Sequence, residues 1–273
     1  MIDFQNTILT NTAEIAFDKQ AGVFDAIYTE NEIIKYKRFR TRNALEKYLK
    51  PKSLILELNA GTGEDAIYFA QKGHRIHATD VSEKMQEILR KKVEKQGLDS
   101  KINTEICSFD DLKNLQVKKK FDAIFSNFGG LNCTENLEKV LATFSDLLKP
   151  NGIIILVIMP KFCLWETLLA LRGNFKLAFR RFFSKNGAKA HVEGVHFLCY
   201  YYQPKFVVEV LKNDFELLNL EGLCTIVPPS YFENFPKKHQ SFYQFLQKAE
   251  NKLKATFPFN IWGDYYIISL RKK

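Results

Sequence analysis

The chain predicts a doubly wound α/β fold whose sheet is mostly parallel, and three observations carry that expectation. Short apolar runs of strand length alternate with stretches of helical period from residue 53 to residue 158. The runs end in polar residues: Glu57, Asp80, Cys107-Ser108 and Ser126-Asn127. A glycine turn, Asn59-Ala60-Gly61-Thr62-Gly63, joins the first run to the helix after it. Ligands of open parallel sheets sit beyond the carboxyl ends of the strands, so these polar groups are expected along one edge.

Residues 13–49 read as helical, punctuated at Gly22 and at Thr29-Glu30-Asn31, and Pro51 ends the last helix. Arg38, Arg40 and Arg42 cluster there, either as a solvated face or with one of them reaching a ligand carboxylate. Strands are expected at 54–57, 74–80, 101–107, 121–126 and 153–158. Helices are expected at about 64–72, from Ser82 (a plausible N-cap) to about 97, and at 135–148. His74 and His77 fall on opposite faces of a strand, which argues against a shared metal; none is expected. Beyond Pro160 the pattern changes. Residues 162–183 are aromatic and basic, 184–194 read as a loop, and 195–202 have strand character. A helix at 204–212, a strand at 215–226, a helix at 240–255 and a strand at 264–270 complete the reading. It is a single domain over 1–273: N-terminal helices (14–50), a ligand-binding core (51–160), a cap insert (161–205), then closing strands and a pocket wall (206–273).

Length and a hydrophobic content of 46% over 273 residues suffice for one large core. The formal charge is +9, but the basic residues are dispersed, so a solvated surface, an anionic ligand or a membrane surface accounts for them as well as nucleic acid does. The five cysteines have no CxxC spacing and suit free thiols in a reducing compartment. The N-terminus lacks a basic, apolar leader, and the run 153–159 is too short to span a bilayer, so the expected location is the cytoplasm.

Five stretches in order resemble the class I S-adenosylmethionine-dependent methyltransferases, over roughly residues 14–160. Glu57 to Gly63 resembles that family's first motif, an acid followed by a G-x-G turn, with Asn59 in place of a glycine. Asp80 matches the acid ending strand two, and 108–112, 121–128 and 148–152 match three later motifs. The resemblance implies a Rossmann-like, seven-stranded sheet with an antiparallel closing strand, and S-adenosylmethionine as cofactor. It implies contacts from Glu57, Asn59, Ala60, Gly61, Thr62, Gly63, Asp80, Val81, Met85, Ser108, Phe109, Asn127, Phe128 and Gly129. Asp80 would accept from the ribose hydroxyls, Val81, Met85 and Phe109 would sandwich the adenine, and Ser108 or Asp110 would meet its edge. Glu57 would meet the ammonium group, or instead brace the glycine turn. Residues 61–66 also satisfy the dinucleotide pattern G-x-G-x-x-A, but Glu57 beside a pyrophosphate would repel it.

The expected acceptor is a small hydrophobic or aromatic molecule, with a lipid-like one among the options. Its pocket is expected from 160–202 and 228–262, with Tyr231 after Pro228-Pro229 facing it. Position 126–129 reads Ser-Asn-Phe-Gly, without the proline of base methyltransferases, so nucleic acid is not the expected partner. His191, His196, Tyr200, Tyr201 and Tyr202 are base candidates, each with a structural alternative as a surface histidine or packed tyrosine. Phe162, Trp165, Phe175, Phe179, Phe182 and Phe183, mixed with Arg172, Lys176, Arg180 and Arg181, read either as a lid packed on the core with basic chains snorkelling outward, or as a surface for a membrane-presented acceptor. A cofactor-binding regulatory protein on the same fold is the non-enzymatic alternative.

Overall fold

A computed structural model describes residues 2–184 and 186–273, with 2–11 and 172 as backbone alone. Two helices come first, α1 (Ile2–Thr29) and α2 (Glu32–Glu46). Asn31 divides them, because its side chain accepts from Ile33 N and Ile34 N and so starts α2. Helix α1 begins well before residue 13. Asn, Thr and Ile at 2–12 have middling helix propensity, so periodicity alone does not mark this stretch.

The core follows in alternation: β1 (Leu54–Leu58), α3 (Glu64–Gln71), β2 (Arg75–Asp80), α4 (Glu83–Lys95), β3 (Ile102–Ile106), β4 (Phe121–Ser126), α5 (Leu137–Ala142), α6 (Phe144–Leu147) and β5 (Leu148–Ile158). The helix expected at 135–148 is broken at Thr143, whose hydroxyl donates to Val140 O and competes with the helix ladder. Strand β5 starts earlier than expected, because Leu148 already pairs with Phe121 before the chain bulges through 149–152.

Next come α7 (Leu164–Leu168), α8 (Phe175–Phe179), β6 (Ala188–Val192), β7 (Val195–Cys199), α9 (Pro204–Leu211), β8 (Phe215–Leu223), α10 (Phe235–Lys238), α11 (Gln240–Leu253) and β9 (Tyr265–Lys272). The stretch 184–194 is not all loop. Glu193 and Gly194, at φ 46° and 78°, make the two-residue turn that folds β6 back on β7.

Seven strands form one sheet in the order β3-β2-β1-β4-β5-β9-β8. All neighbours are parallel except β9, which runs antiparallel to both β5 and β8. Alternate residues of β5 enter opposite layers: Ile153, Ile155 and Val157 pack on the α2–α3–α4–α11 side, Ile154, Leu156 and Ile158 on the α5–α9 side. The strand order reverses between β1 and β4. That reversal is the topological switch point, where the sheet opens a crevice at its carboxyl edge.

Candidate functional site at the switch point

The glycine turn is fixed from several sides. Asn59 takes a left-handed conformation, φ 48°, which Asn tolerates better than most residues. Its Oδ1 accepts from Ser126 Oγ at 2.6 Å and its Nδ2 donates to Asn127 O at 3.0 Å, so it ties the end of β1 to the end of β4. Gly61 N donates to Asp80 Oδ2 at 2.8 Å, and Asp80 Oδ1 accepts from Ser82 N at 2.9 Å. Gly63, at φ 80°, starts α3, and a Cβ there would lie 2.0 Å from Leu89 Cδ1. Its absence of a side chain lets α3 and α4 pack together.

Above this turn lies a cavity of about 470 Å³. Glu57, Asn59, Ala60, Gly61, Thr62, Asp80, Val81, Met85, Ser108, Phe109, Asp110, Asn127 and Phe128 all line it. Gly63 and Gly129 do not. Gly63 sits behind the turn, and Gly129, at φ 69°, donates its N–H to Val157 O and shapes the β4 loop. The opposite wall is α1, through Ala13, Glu14, Phe17, Gln20, Phe24 and Tyr28, with Arg38 from α2. Asp18 accepts from Ser82 Oγ, and Asp25 accepts from Thr62 Oγ1 at 2.6 Å, pinning α1 across the crevice. The α1 residues were not expected in the site. Their seven-residue spacing (Phe17, Phe24) marks a buried face but not what it faces.

Charge in the cavity is uneven. Glu57 is 3% exposed, and its Oε2 has no hydrogen-bond partner. Burial, then the neighbouring Asp65, push its carboxyl well above the usual range. Asp65 moves the other way. Burial opposes its charge, but Arg38 at 2.8 Å, Arg42 at 2.6 Å and Asn127 Nδ2 at 2.8 Å hold it below its ordinary value. Gln20 Oε1, on the facing wall, is also buried without a partner. The arginine cluster is therefore no solvated face. Arg40 is 3% exposed and bonds Glu221 and Glu250, and Arg38 and Arg42 clamp Asp65. His77 instead pairs with Glu105 at 2.7 Å, away from His74.

Residues 55–152 match the family described as methyltransferase domain. The chain has the Rossmann-like fold of solved S-adenosylmethionine-dependent methyltransferases. An uncharacterised protein of Methanocaldococcus jannaschii is 28% identical over 85% of this chain and 88% of its own length. The demethylmenaquinone methyltransferase of Bacteroides fragilis is 31% identical over 53% of this chain and 58% of its own, so the chain spans little more than half of that relative. Among solved structures, the 1,6-didemethyltoxoflavin-N1-methyltransferase of Burkholderia thailandensis, with 1,6-didemethyltoxoflavin and S-adenosylhomocysteine bound, is similar in fold. Its TM-score is 0.60 at 15% identity, covering 98% of this chain and 90% of that one.

In this fold the base candidates lie off the cavity. His191 and His196 are an exposed cross-strand pair on the β6–β7 hairpin, ring centres 4.7 Å apart. Tyr202 donates to Thr134 O, Tyr200 to Glu135 Oε2 at 3.3 Å, and Tyr201 packs under the Arg181 guanidinium. The hairpin leans on α1 through Phe17 and Phe197, and this presents only Val192 inward. Of the segments 160–202 and 228–262, Val192 alone lines the cavity among the described residues. Tyr231 is half exposed and elsewhere. In the cap, Arg181 is 2% exposed and bonds Glu166 and Asp264, which correct the expectation of basic chains snorkelling outward over a buried aromatic face. Cys163, Glu166 and Asp264 converge there, but the guanidinium already neutralises the two carboxylates. No described helix is long and apolar enough to cross a membrane.

Proposed function

We propose that the chain transfers the methyl group of S-adenosylmethionine to a small hydrophobic or aromatic acceptor in the cavity between α1 and the switch point. The observation that carries this reading is the unpartnered, buried carboxylate oxygen of Glu57, beside the turn and across from the unpartnered Gln20 Oε1. Two orphaned acceptors facing one cavity suit a ligand rich in donors, such as an ammonium and a ribose diol, and not a pyrophosphate.

The roles then follow from the residues. Asp80 is held in place by two backbone N–H groups and keeps lone pairs for ribose hydroxyls. Val81, Met85 and Phe109 offer apolar faces for the adenine. Ser108 Oγ accepts from Asp110 N and Asp110 Oδ1 accepts from Thr134 Oγ1, so the second Asp110 oxygen or the remaining Ser108 lone pair takes the exocyclic amine. Glu57 meets the ammonium, and Asn127, Asn59 and Gly61 shape the backbone around it. Arg38, from the residue type singled out in the sequence, lies at the cavity beside Asp65 and suits the carboxylate end.

When bound, S-adenosylmethionine supplies a methyl group already activated on a sulfonium. The protein then has to orient, exclude water and, for some acceptors, take a proton. Helix α1 covers the crevice and excludes water. Phe24, Tyr28 and Phe128 form an aromatic wall, Tyr28 stacked on Phe24 at 4.2 Å and edge-on to Phe128 at 6.2 Å, which favours a flat or apolar acceptor. Burial raises the Tyr28 hydroxyl, with Arg38 partly opposing, so Tyr28 stays protonated and is a donor and not a base. No histidine is among the described lining residues. Orientation is accordingly the main contribution, with a carboxylate such as Glu14 in reach for an acceptor that must lose a proton. Relatives named for demethylmenaquinone and 1,6-didemethyltoxoflavin support a small-molecule acceptor.

The test is release of adenosylhomocysteine on mixing the protein and S-adenosylmethionine with fractionated cell extract. The proposal expects release with an apolar small-molecule fraction. Tight cofactor binding with no release from any fraction would instead favour the regulatory reading.

A further inference from the structure

The cap inverts the usual sorting of side chains. Within one turn of chain, Arg181 is 2% exposed whereas Phe183 is 86% exposed. Leu171 is 84% and Phe175 61% exposed, and Phe179 and Phe182 are also on the outside. Phe175, Phe179, Phe182 and Phe183 recur at helical spacing, and the last three touch, with ring centres 6.1 and 6.3 Å from Phe179. The outward pose is anchored from inside. Arg181 bonds Glu166 and Asp264 at 2.7 and 2.8 Å and the carbonyls of Pro160 and Asp264, so this face cannot turn inward without unpairing a buried charge.

Contiguous exposed apolar surface of this kind marks an interaction site. Its rim decides the partner. Lys176, on the same helix, is exposed, Lys161 is exposed at the start of the cap, and Arg180 is 40% exposed with its guanidinium on Glu166. From residue 161 to 183 the only acid is Glu166, which is buried against Arg180 and Arg181. Two copies of this face would set cation against cation, whereas anionic headgroups would neutralise the rim while the phenylalanines enter the acyl boundary.

We propose that Leu171, Phe175, Phe179, Phe182 and Phe183 form a docking face for an anionic lipid surface, which holds the protein at a bilayer without a spanning helix. The face lies apart from the cavity residues, so the inference stands or falls independently of methyl transfer.

The experiment is co-sedimentation of the full chain with vesicles of phosphatidylcholine alone or with phosphatidylglycerol, at low and high salt. Wild type is expected to bind the anionic vesicles about ten-fold better than the neutral ones, and less at high salt. L171S/F175S/F183S is expected to lower the bound fraction about ten-fold, and Lys176→Glu several-fold, with S-adenosylmethionine affinity unchanged in both. Phe183→Ser alone, at a side chain largely in solvent, guards against misfolding of the triple variant and is expected to weaken binding in the same direction. Wild type that stays in the supernatant with anionic vesicles overturns the proposal. So does equal binding by the serine variants, or a solution dimer that the triple variant dissolves, since the face would then be a self-contact.

Discussion

The switch-point edge and the cap are built on opposite logic. At the edge, charged groups face a cavity and two acceptors lack partners, Glu57 Oε2 and Gln20 Oε1. In the cap, the charges are matched and buried, Arg181 with Glu166 and Asp264, while apolar rings face outward. At the edge the polar demand is left unmet by the protein itself, which is what the proposed ligand would satisfy. The cap is a scaffold whose buried charges are matched internally, although Arg181 Nε and Trp165 Nε1 keep no partner, and the surface it presents outward is apolar. The difference teaches where each region's free energy is exposed to a partner: hydrogen bonding at the edge, hydrophobic surface at the cap.

The contrast breaks most visibly at Arg181. Arg181→Met strands two buried carboxylates, and about 3–5 kcal/mol of stability should be lost. Glu166 shows the pH side of the same pairing. Burial alone would raise it, but Arg181 and Arg180 hold it below the usual range. Its contribution is therefore fully present at pH values above the ordinary carboxylate range, neutral pH included, and is lost in acid as pH falls through its lowered folded value. Urea unfolding at pH 7 and in acid checks both, and a loss under about 1 kcal/mol at pH 7 would mean the cap is not held this way. Cofactor affinity should barely change.

Gly63→Val sharpens the edge. The new side chain would meet Leu89 and force a β-branched residue to a left-handed φ, for about 3 kcal/mol of destabilisation. Denaturant melts that match wild type would contradict the turn geometry. Asn59→Gly acts in the same turn but more gently. It keeps the left-handed backbone and removes the bonds to Ser126 Oγ and Asn127 O, so about 1–2 kcal/mol should go. Here the side chain braces two loops, which is more than tolerance of a glycine conformation.

The parallel core was legible because its strands read as apolar runs buried on both faces, and because the turns after β1 and β2 carry residues chosen by backbone geometry and by the crevice. What the sequence could not show was partner identity across distance. Arg40 meets Glu221 and Glu250 about two hundred residues away, and nothing near Arg40 announces them. The period of Phe17 and Phe24 shows that α1 has a buried face, yet only the fold shows that this face closes the cavity. In the cap the same ambiguity had the opposite outcome: amphipathic spacing at 175–183 left open which face meets solvent, and the buried ion pair decided it. Strand β6 was missed because Lys189 and His191 alternate with small residues, which resembles a polar loop.

The smallest expected change is a proton. Burial raises Glu57, so the empty protein keeps it protonated above the ordinary carboxylate range. An ammonium arriving beside it favours the charged form. Cofactor binding should therefore release part of a proton, and affinity should rise with pH until Glu57 is ionised in the free protein. Titration calorimetry in buffers of different ionisation enthalpy measures this, and a buffer-independent enthalpy would remove Glu57 from the ammonium site.

The central claim is that the switch-point edge holds S-adenosylmethionine through Asp80. Calorimetric titration of wild type and Asp80→Ala with S-adenosylmethionine, and of wild type with NADH, tests it most directly. The account predicts saturable binding by wild type, weakened about 5- to 150-fold, about 1–3 kcal/mol, in the variant, and no binding of NADH. Equal affinity in the two proteins, or saturable binding of NADH in place of S-adenosylmethionine, would contradict it.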